Sequence, residues 1–266
     1  MTSADTAAYR TPDRLRARIG FHERYPSGAG DFHDWLLAHV DAPPDAAVLE
    51  VGAGTARMWT RDPGRVPPGW RLTLTDLSAG MVEAAAEAVA DAGISARVLQ
   101  ADVTALPFEP ASFDLAFANH MLYHVSDLDR AVAELRRVLA PGGALIAATN
   151  GEAHLAGLRE LAAEPGRWEG AGVVAEGVAP LPFTLESGGE ALARSFSHVS
   201  VHRRDDVVFA DDAEVVLAYL RSMLYLPPEP SDELLAELAG WEERVRLRLA
   251  ARPLEVRRSS GFFVAR

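Results

Sequence analysis

Short apolar runs alternate with amphipathic stretches from about residue 46 onwards. The run AVLEV at Ala47–Val51 is almost uniformly apolar, as is typical of strands that are covered on both faces. The stretch Ala79–Asp91 instead carries its apolar residues at helical spacing, and Ser78 is placed to cap it. Alternation of this kind predicts an α/β fold with a parallel sheet and helices on both faces.

The same pattern gives the bounds of the predicted elements. The strands are expected at Ala47–Val51, Arg71–Thr75, Ala96–Gln100, Phe113–Ala118, Ala144–Thr149, Phe196–His202 and the closing segment GFFVAR. Helices are expected at Arg10–Ile19, Asp31–Val40, from near Thr55, and at Ala79–Asp91, Asp127–Leu139, Gly151–Ala163, Glu190–Arg194, Asp212–Leu226 and Asp232–Ala251. The segment Gly166–Pro182 is predicted to be a loop.

Composition excludes several classes of chemistry. The 266 residues contain no cysteine, which removes disulfides, thiolate catalysis and thiolate-held iron–sulfur clusters. They also contain no lysine, which removes Schiff-base chemistry and a P-loop lysine. A formal charge of −12 argues against a nucleic-acid partner. The N-terminal residues lack a signal-peptide core and no apolar run is long enough to span a bilayer, so we expect a cytoplasmic protein without a membrane partner.

A glycine-rich turn follows the first predicted strand. Glu50, Gly52 and Gly54 stand in the run EVGAGTA, where glycine lets the backbone turn tightly and approach a ligand. Dinucleotide-binding enzymes use a similar turn, but their third glycine would fall at position 57, which is Arg57 here. The turn therefore predicts a ligand site without a complete pyrophosphate cradle.

Polar residues also follow the next three predicted strands. An acidic side chain at Asp76 suits the two hydroxyls of a ribose, and Asp102 suits an exocyclic adenine amine. Asp76 read alone also suits a helix cap, and Asp102 a turn. Asn119 opens the segment that leaves the fourth strand. Because carboxyl ends of parallel strands meet at one edge of a sheet, these residues predict one ligand site.

The motifs in this order resemble those of the class I S-adenosylmethionine-dependent methyltransferases, especially the subgroup that acts on small metabolites and natural products. The segments are VLEVGAGTA, LTDLSAGM, QADVTALPF, FDLAFANHMLYHV and RVLAPGGALIAAT, between about residues 45 and 150. The resemblance implies a Rossmann-like sheet of seven strands in the order 3-2-1-4-5-7-6, with the last strand antiparallel. The chain departs from the family pattern at Ala56, where the final glycine of the first motif is usual.

The resemblance also implies roles for individual residues. Glu50, Gly52 and Gly54 would surround the methionine part of S-adenosylmethionine, and the Asn119 backbone would meet its amino-acid end. Asp76 would hold the ribose. Leu77 would lie against the adenine, and Asp102 and Val103 would take the adenine edge. We expect one domain over residues 1–266, with a helical N-terminal lid at 1–45, a cofactor-binding core at 46–150 and substrate-side elements at 151–266.

Candidate catalytic residues are less specific than the cofactor motifs. His124 is the best candidate for a general base, because a neutral imidazole accepts a proton near pH 7. His120 is four residues earlier, so the two would share one face of a helical turn, and packing explains His120 equally well. Tyr25, with His22 and Trp59, is expected to line the site, although packing also explains each of them. No third ligand accompanies the two histidines, so we expect no metal.

The expected activity is methyl transfer to an O, N or C atom of a small molecule, with S-adenosylhomocysteine as product. Natural-product biosynthesis is the expected setting, and a homodimer is an open alternative to a monomer. Two other readings stay open. The fold also suits a cyclisation or rearrangement in which S-adenosylmethionine is not consumed, and it suits a non-catalytic scaffold.

Overall fold

A computed structural model of the chain describes residues 12–26, 28, 30–163, 173–175 and 181–266. Contacts divide the chain into two compact units. The sheet unit comprises residues 31–151, 182–203 and 260–266, and the helical unit comprises the described residues within 1–30, 152–181 and 204–259. The expectation of one domain over residues 1–266 stays a prediction.

The main sheet has seven strands. They are β1 (Ala47–Val51), β2 (Arg71–Asp76), β3 (Ala96–Gln100), β4 (Phe113–Asn119), β5 (Leu139–Asn150), β7 (Val199–Ala210) and β9 (Leu254–Ala265). Two short strands, β6 (Val174–Ala175) and β8 (Leu224–Tyr225), form a separate antiparallel pair. The sheet order is β3-β2-β1-β4-β5-β9-β7, with β9 antiparallel to β5. Counted within the main sheet alone, this is the predicted order 3-2-1-4-5-7-6, which is confirmed.

Helices connect these strands in the described ranges. They are α1 (Pro12–Arg24), α2 (Phe32–Leu37), α3 (Arg57–Thr60), α4 (Ala79–Asp91), α5 (Leu128–Val138), α6 (Ala156–Ala162), α7 (Gly188–Ala193), α8 (Ala213–Met223) and α9 (Asp232–Ala251). Several begin where a side chain caps the first turn. Ser78 accepts a hydrogen bond from the Met81 N–H group, and Ser231 does the same for Leu234. No helix in these ranges combines the length and the apolar character needed to cross a bilayer.

The later strands are longer than the sequence pattern predicted. β7 continues to Ala210 through the charged run at residues 203–206, because every second side chain there points to solvent. β9 begins at Leu254 and alternates in the same way before its buried end. β5 begins at Leu139, since Phe113 pairs with Leu139 and Leu115 pairs with Ala144, so residues 140–143 bulge out of register.

Some helices are shorter than predicted. Asp31 lies outside α2 because its carboxylate caps the N–H groups of His33 and Asp34. α6 begins only at Ala156, after Leu155 in a left-handed conformation with φ of 55°. Most of the predicted loop 166–182 falls outside the described residues. The part that is described contains the two-residue strand β6.

The sheet unit buries apolar residues on both faces of the sheet. Along β4, Leu115 and Phe117 belong to one core cluster, and Ala116 and Ala118 belong to the other. Because side chains alternate along a strand, these clusters lie on opposite faces. Both faces are therefore covered, as the uninterrupted apolar runs predicted.

The helical unit has its own core around Trp241, which is fully buried and donates a hydrogen bond from Nε1 to the Leu161 carbonyl. α1 is held to the end of α8 and to β8 within this unit. The guanidinium group of Arg14 donates to the Leu224 carbonyl at 2.9 Å, and that of Arg18 donates to the Ser222 carbonyl at 3.1 Å. Arg258 forms a bidentate ion pair with Asp206, in which Nε and Nη2 donate to the two carboxylate oxygens at 2.7 Å each.

We expect Gly261→Ala to lower the free energy of unfolding by about 1–3 kcal/mol. A Cβ atom at this position in β9 would overlap the carbonyl oxygen of His202 in β7, and backbone cannot move aside cheaply. Denaturant unfolding measures the change. Gly20→Ala is the matched control, because a Cβ atom there meets nothing within 4 Å and should stabilise α1 by about 0.5–1 kcal/mol. Equal stability of both variants would contradict the close approach of β7 and β9.

Candidate functional site

The predicted ligand residues lie at one edge of the sheet. In the register of the parallel strands, Val51 at the end of β1 pairs with Thr75 in β2 and with Ala118 in β4. Asp76 at the end of β2 pairs with Gln100 at the end of β3. The turns that follow these strands therefore leave the sheet at the same side. This is the edge where open α/β sheets bind ligands.

The turn after β1 requires glycine. Gly52 and Gly54 have φ of 64° and 56°, in the left-handed region that glycine adopts without strain. A Cβ atom on Gly52 would also lie 2.8 Å from Cβ and Cγ of Met121, so no side chain fits there. The Ala53 N–H group donates to the Thr75 carbonyl at 2.9 Å and fixes the turn against β2. The turn therefore has the backbone conformation that its glycines allow, and the roles of Gly52 and Gly54 toward a ligand stay predictions.

Ala56 adopts a left-handed backbone conformation, which glycine enters without strain. Its φ is 57°, and it directly precedes α3 as the N-cap residue. The residue is fully buried in the core of the sheet unit, so its methyl group is covered. The departure from the family pattern thus imposes a small backbone strain without exposing an extra methyl group.

Glu50 is a buried carboxyl group held by two donors. Only 2% of the residue is exposed. Trp59 donates from Nε1 to Oε2 at 2.6 Å, and Asn119 donates from Nδ2 to Oε1 at 2.8 Å. Burial raises the pKa of Glu50 to about 7, and the Asp76 charge adds to the rise, while the two hydrogen bonds lower the pKa. The group therefore titrates near neutral pH.

Asn119 presents an acceptor that lacks a protein partner. Its Nδ2 also contacts the Met58 sulfur at 3.0 Å, which turns the amide oxygen away from Glu50. Within the described part of the chain, this buried Oδ1 has no hydrogen-bond partner. A buried acceptor without a donor is costly, and a ligand ammonium group would satisfy it. The Asn119 side chain thus offers an acceptor that suits an ammonium group, and the role of Asn119 at the amino-acid end of S-adenosylmethionine stays a prediction.

The Asp76 carboxylate accepts hydrogen bonds from the turn after β1 and from the turn after β2. Its Oδ2 accepts from the Gly54 N–H group and its Oδ1 accepts from the Ser78 N–H group, both at 2.9 Å. The N-cap of α4 is Ser78 and not Asp76. Each carboxylate oxygen retains a free lone pair, so two ribose hydroxyls would still find acceptors. The ribose role of Asp76 stays a prediction.

The three residues expected to bind adenine differ in their exposure and in their hydrogen bonds. Leu77 is 44% exposed, and its carbonyl accepts from Gln100 Nε2 at 2.8 Å. Asp102 accepts from the N–H and the hydroxyl of Thr104, both at 2.8 Å, which is the hydrogen bonding of a turn residue. Val103 is buried in the core, so it would meet an adenine edge through its backbone. The adenine roles stay predictions.

The two histidines do not share one helical turn, because only residues Leu122–His124 are helical, as a short 3-10 turn. His120 stands before that turn with φ of 52°, and its N–H group donates to the Ala148 carbonyl at 3.0 Å. Its ring lies 5.5 Å from the Phe32 ring between centroids. His124 ends the turn, with its ring 4.5 Å from the Tyr123 ring. Their catalytic roles stay predictions.

Tyr25 belongs to the helical unit and has its own partners there. Its hydroxyl donates to Asp211 Oδ1 at 3.1 Å and accepts from the Asp212 N–H group at 2.8 Å. Burial raises the pKa of Tyr25. These contacts fix the end of α1, and a role toward an acceptor stays a prediction.

Sequence reasoning does not predict the hydrogen bonds that hold the Glu50 side chain. Trp59 was expected to line the site, but it is fully buried, and its indole N–H group binds the Glu50 carboxyl group instead. Met58 and Met121 were not singled out, although they contact Asn119 and the position of Gly52.

Comparison with known proteins agrees with this geometry. The profile of a family described as "Methyltransferase domain" matches residues 49–147. A ubiquinone/menaquinone biosynthesis C-methyltransferase, UbiE, from Hahella chejuensis is 34% identical over 103 residues, which is 38% of this chain and 41% of the relative. The chain thus matches less than half the length of that relative.

Solved structures share the fold over most of the chain. A putative methyltransferase from Bacillus halodurans aligns with a TM-score of 0.62 at 16% identity, covering 89% of this chain and 99% of that one. The [4+2]-cyclase SpnF aligns with a TM-score of 0.54 at 20% identity, covering 88% and 80%. Residues 49–147 are thus similar to a methyltransferase domain, and the order of the sheet agrees with the fold of the solved structures.

Proposed function

We propose that this chain transfers the methyl group of S-adenosylmethionine to an O, N or C atom of a small-molecule metabolite, in natural-product biosynthesis. The observation that carries the proposal is the pair of buried acceptors at the end of the sheet, Glu50 and the partnerless Asn119 Oδ1, beside a turn that excludes side chains. A cationic amino-acid group is the ligand that such a pair suits. The formal charge of −12 supports a small acceptor over a polyanion.

Different residues at this edge of the sheet bind different parts of the cofactor. Glu50 and Asn119 take the amino-acid end, and the turn at Gly52 and Gly54 lets the backbone approach it. Asp76 takes the ribose hydroxyls, with Leu77, Asp102 and Val103 around the adenine. When bound, the cofactor supplies an electrophilic methyl group on a sulfonium sulfur. The chain supplies orientation and exclusion of water, which accelerate an in-line displacement without a strong catalytic residue.

The acceptor side is assigned to three residues. His124 removes the proton of a weakly acidic acceptor as the methyl group arrives. His120 and Tyr25 are the further candidates for contact with the acceptor. A cytoplasmic location remains part of the proposal, and a homodimer remains an open alternative to a monomer.

The alternative is a cyclisation or rearrangement in which the cofactor is not consumed. The likeness to the cyclase SpnF motivates it, because the same fold serves that enzyme. Mass spectrometry of reactions with candidate small molecules separates the two. Methyl transfer replaces one hydrogen of the acceptor by a methyl group, a net gain of one CH2, and yields one S-adenosylhomocysteine per product. Cyclisation changes retention without changing mass. Failure to bind either form of the cofactor would contradict both and favour a scaffold.

We expect Asp76→Ala to weaken binding of S-adenosylhomocysteine roughly 100-fold, because two hydrogen bonds to a charged acceptor are lost. Isothermal titration calorimetry measures the affinity. Asp62→Ala is the matched control, since Asp62 also accepts from a glycine N–H group, that of Gly64. Unchanged affinity of the Asp76 variant would remove the ribose role.

We expect His124→Ala to lower turnover roughly 100-fold or more while leaving cofactor affinity unchanged, because it removes the proposed base and no cofactor contact. Single-turnover kinetics with an identified acceptor measures the effect. His198→Ala is the control, because this exposed histidine uses its backbone to pair with Arg266. If turnover falls equally in both variants, or in neither, His124 is a packing residue.

A further inference from the structure

Glu50 lacks a cationic partner in the described part of the chain. The donors on its two oxygens are a neutral indole and a neutral amide, at 2.6 and 2.8 Å. Within the same residues, the charge that acts on its pKa is that of Asp76 in β2, which raises it. A buried carboxylate without a positive charge nearby is unfavourable, so the neutral acid is well populated near pH 7.

The Asn119 amide responds to the ionisation of Glu50. In the arrangement observed, Nδ2 donates to Glu50 Oε1, which requires an oxygen that accepts, as in the carboxylate. A protonated Oε1 would instead donate, and a half-turn of the amide would offer it Oδ1. Ionised Glu50 therefore favours the observed orientation of the amide, in which Oδ1 has no hydrogen-bond partner among the described residues.

We propose that Glu50 gives up its proton to solvent when S-adenosylmethionine binds, and that Trp59 and Asn119 hold the resulting carboxylate as the counter-ion of the cofactor's positive charges. The O–H bond of the carboxyl group breaks, its electron pair stays on Glu50, and buffer takes the proton. This inference rests on the cofactor binding proposed above.

Trp59 is the positioning residue of this arrangement. The indole is fully buried and is fixed edge-on against Phe117, 5.6 Å between ring centroids, and against Trp70 at 6.4 Å. Its N–H group donates and cannot accept, so it favours the ionised form of Glu50 in every state of the site. Trp59 would thus act on the cofactor only through Glu50.

Calorimetry in buffers of different ionisation enthalpy counts the protons released. At pH 7 the cofactor should displace roughly half a proton from Glu50, and nearly one proton at pH 6, since the group is about half protonated at its pKa. The matched variant Glu50→Gln should lose this release. Subtracting the proton count of Glu50→Gln from that of the native protein also removes any proton exchanged by the cofactor's own amino group. An equal proton count in the two proteins would overturn the inference.

Trp59→Phe separates positioning from packing, because it keeps the ring and removes the donor. Losing that hydrogen bond raises the pKa of Glu50, so proton release at pH 7 should increase. Affinity should fall several-fold at pH 7 and recover toward pH 8.5. Loss of affinity by the same factor at every pH would overturn the role of Trp59. Trp70→Phe is the control, since its Nε1 donates to the Pro43 carbonyl, and it should leave the proton count unchanged.

The stability of the protein without cofactor provides an independent test. A folded-state pKa raised above its unfolded value makes the folded chain bind more protons, so Glu50 lowers stability as pH rises toward 7. Thermal unfolding between pH 5 and 8 should therefore show that the stability of the native chain falls as pH rises, and that the stability of Glu50→Gln lacks this fall. The same dependence of stability on pH in both proteins overturns the inference. If the cofactor binds and the native chain releases no more protons than Glu50→Gln, the inference is overturned but the proposed function is not. No binding at any pH overturns both.

Discussion

The parallel register of β1 with β2 and β4 determines where each polar group of the candidate site lies. Val51 stands beside Thr75 on one side and Ala118 on the other, so the chain leaves three neighbouring strands at one edge. Apolar side chains on both faces of β4 hold these strands in place. A slip of one residue would exchange the two faces, so burial fixes the register and, with it, the site.

At this edge the protein keeps polar groups that burial alone would disfavour. Glu50 is 2% exposed and has a pKa of about 7, and Asn119 keeps a buried oxygen without a protein partner. Each feature lowers the stability of the protein without a ligand. Under the proposed function both would become favourable once a cationic ligand occupies the site, which is the balance expected of a binding site and not of a structural core.

Local sequence signals predicted much of the fold. The bounds of β1, β3, α4 and α9 match the predictions because apolar spacing agrees there with a clear start or stop, as at Ser78 and Ser231. The end of β7 and the start of β9 differ from the predictions, since alternating exposure lets charged residues continue a strand. The pairing of Trp59 and Asn119 with Glu50 joins residues 9 and 69 positions apart, and only the folded chain brings them together.

Hydrogen–deuterium exchange with and without S-adenosylhomocysteine tests the central claim most directly. Saturating ligand should slow amide exchange in four segments that are distant in sequence, residues 50–56, 76–81, 100–104 and 119–124. The protection should appear in all four at the same ligand concentration, because one molecule contacts them together. Saturable binding with unchanged exchange in these segments would contradict a cofactor site at the carboxyl edge of the sheet.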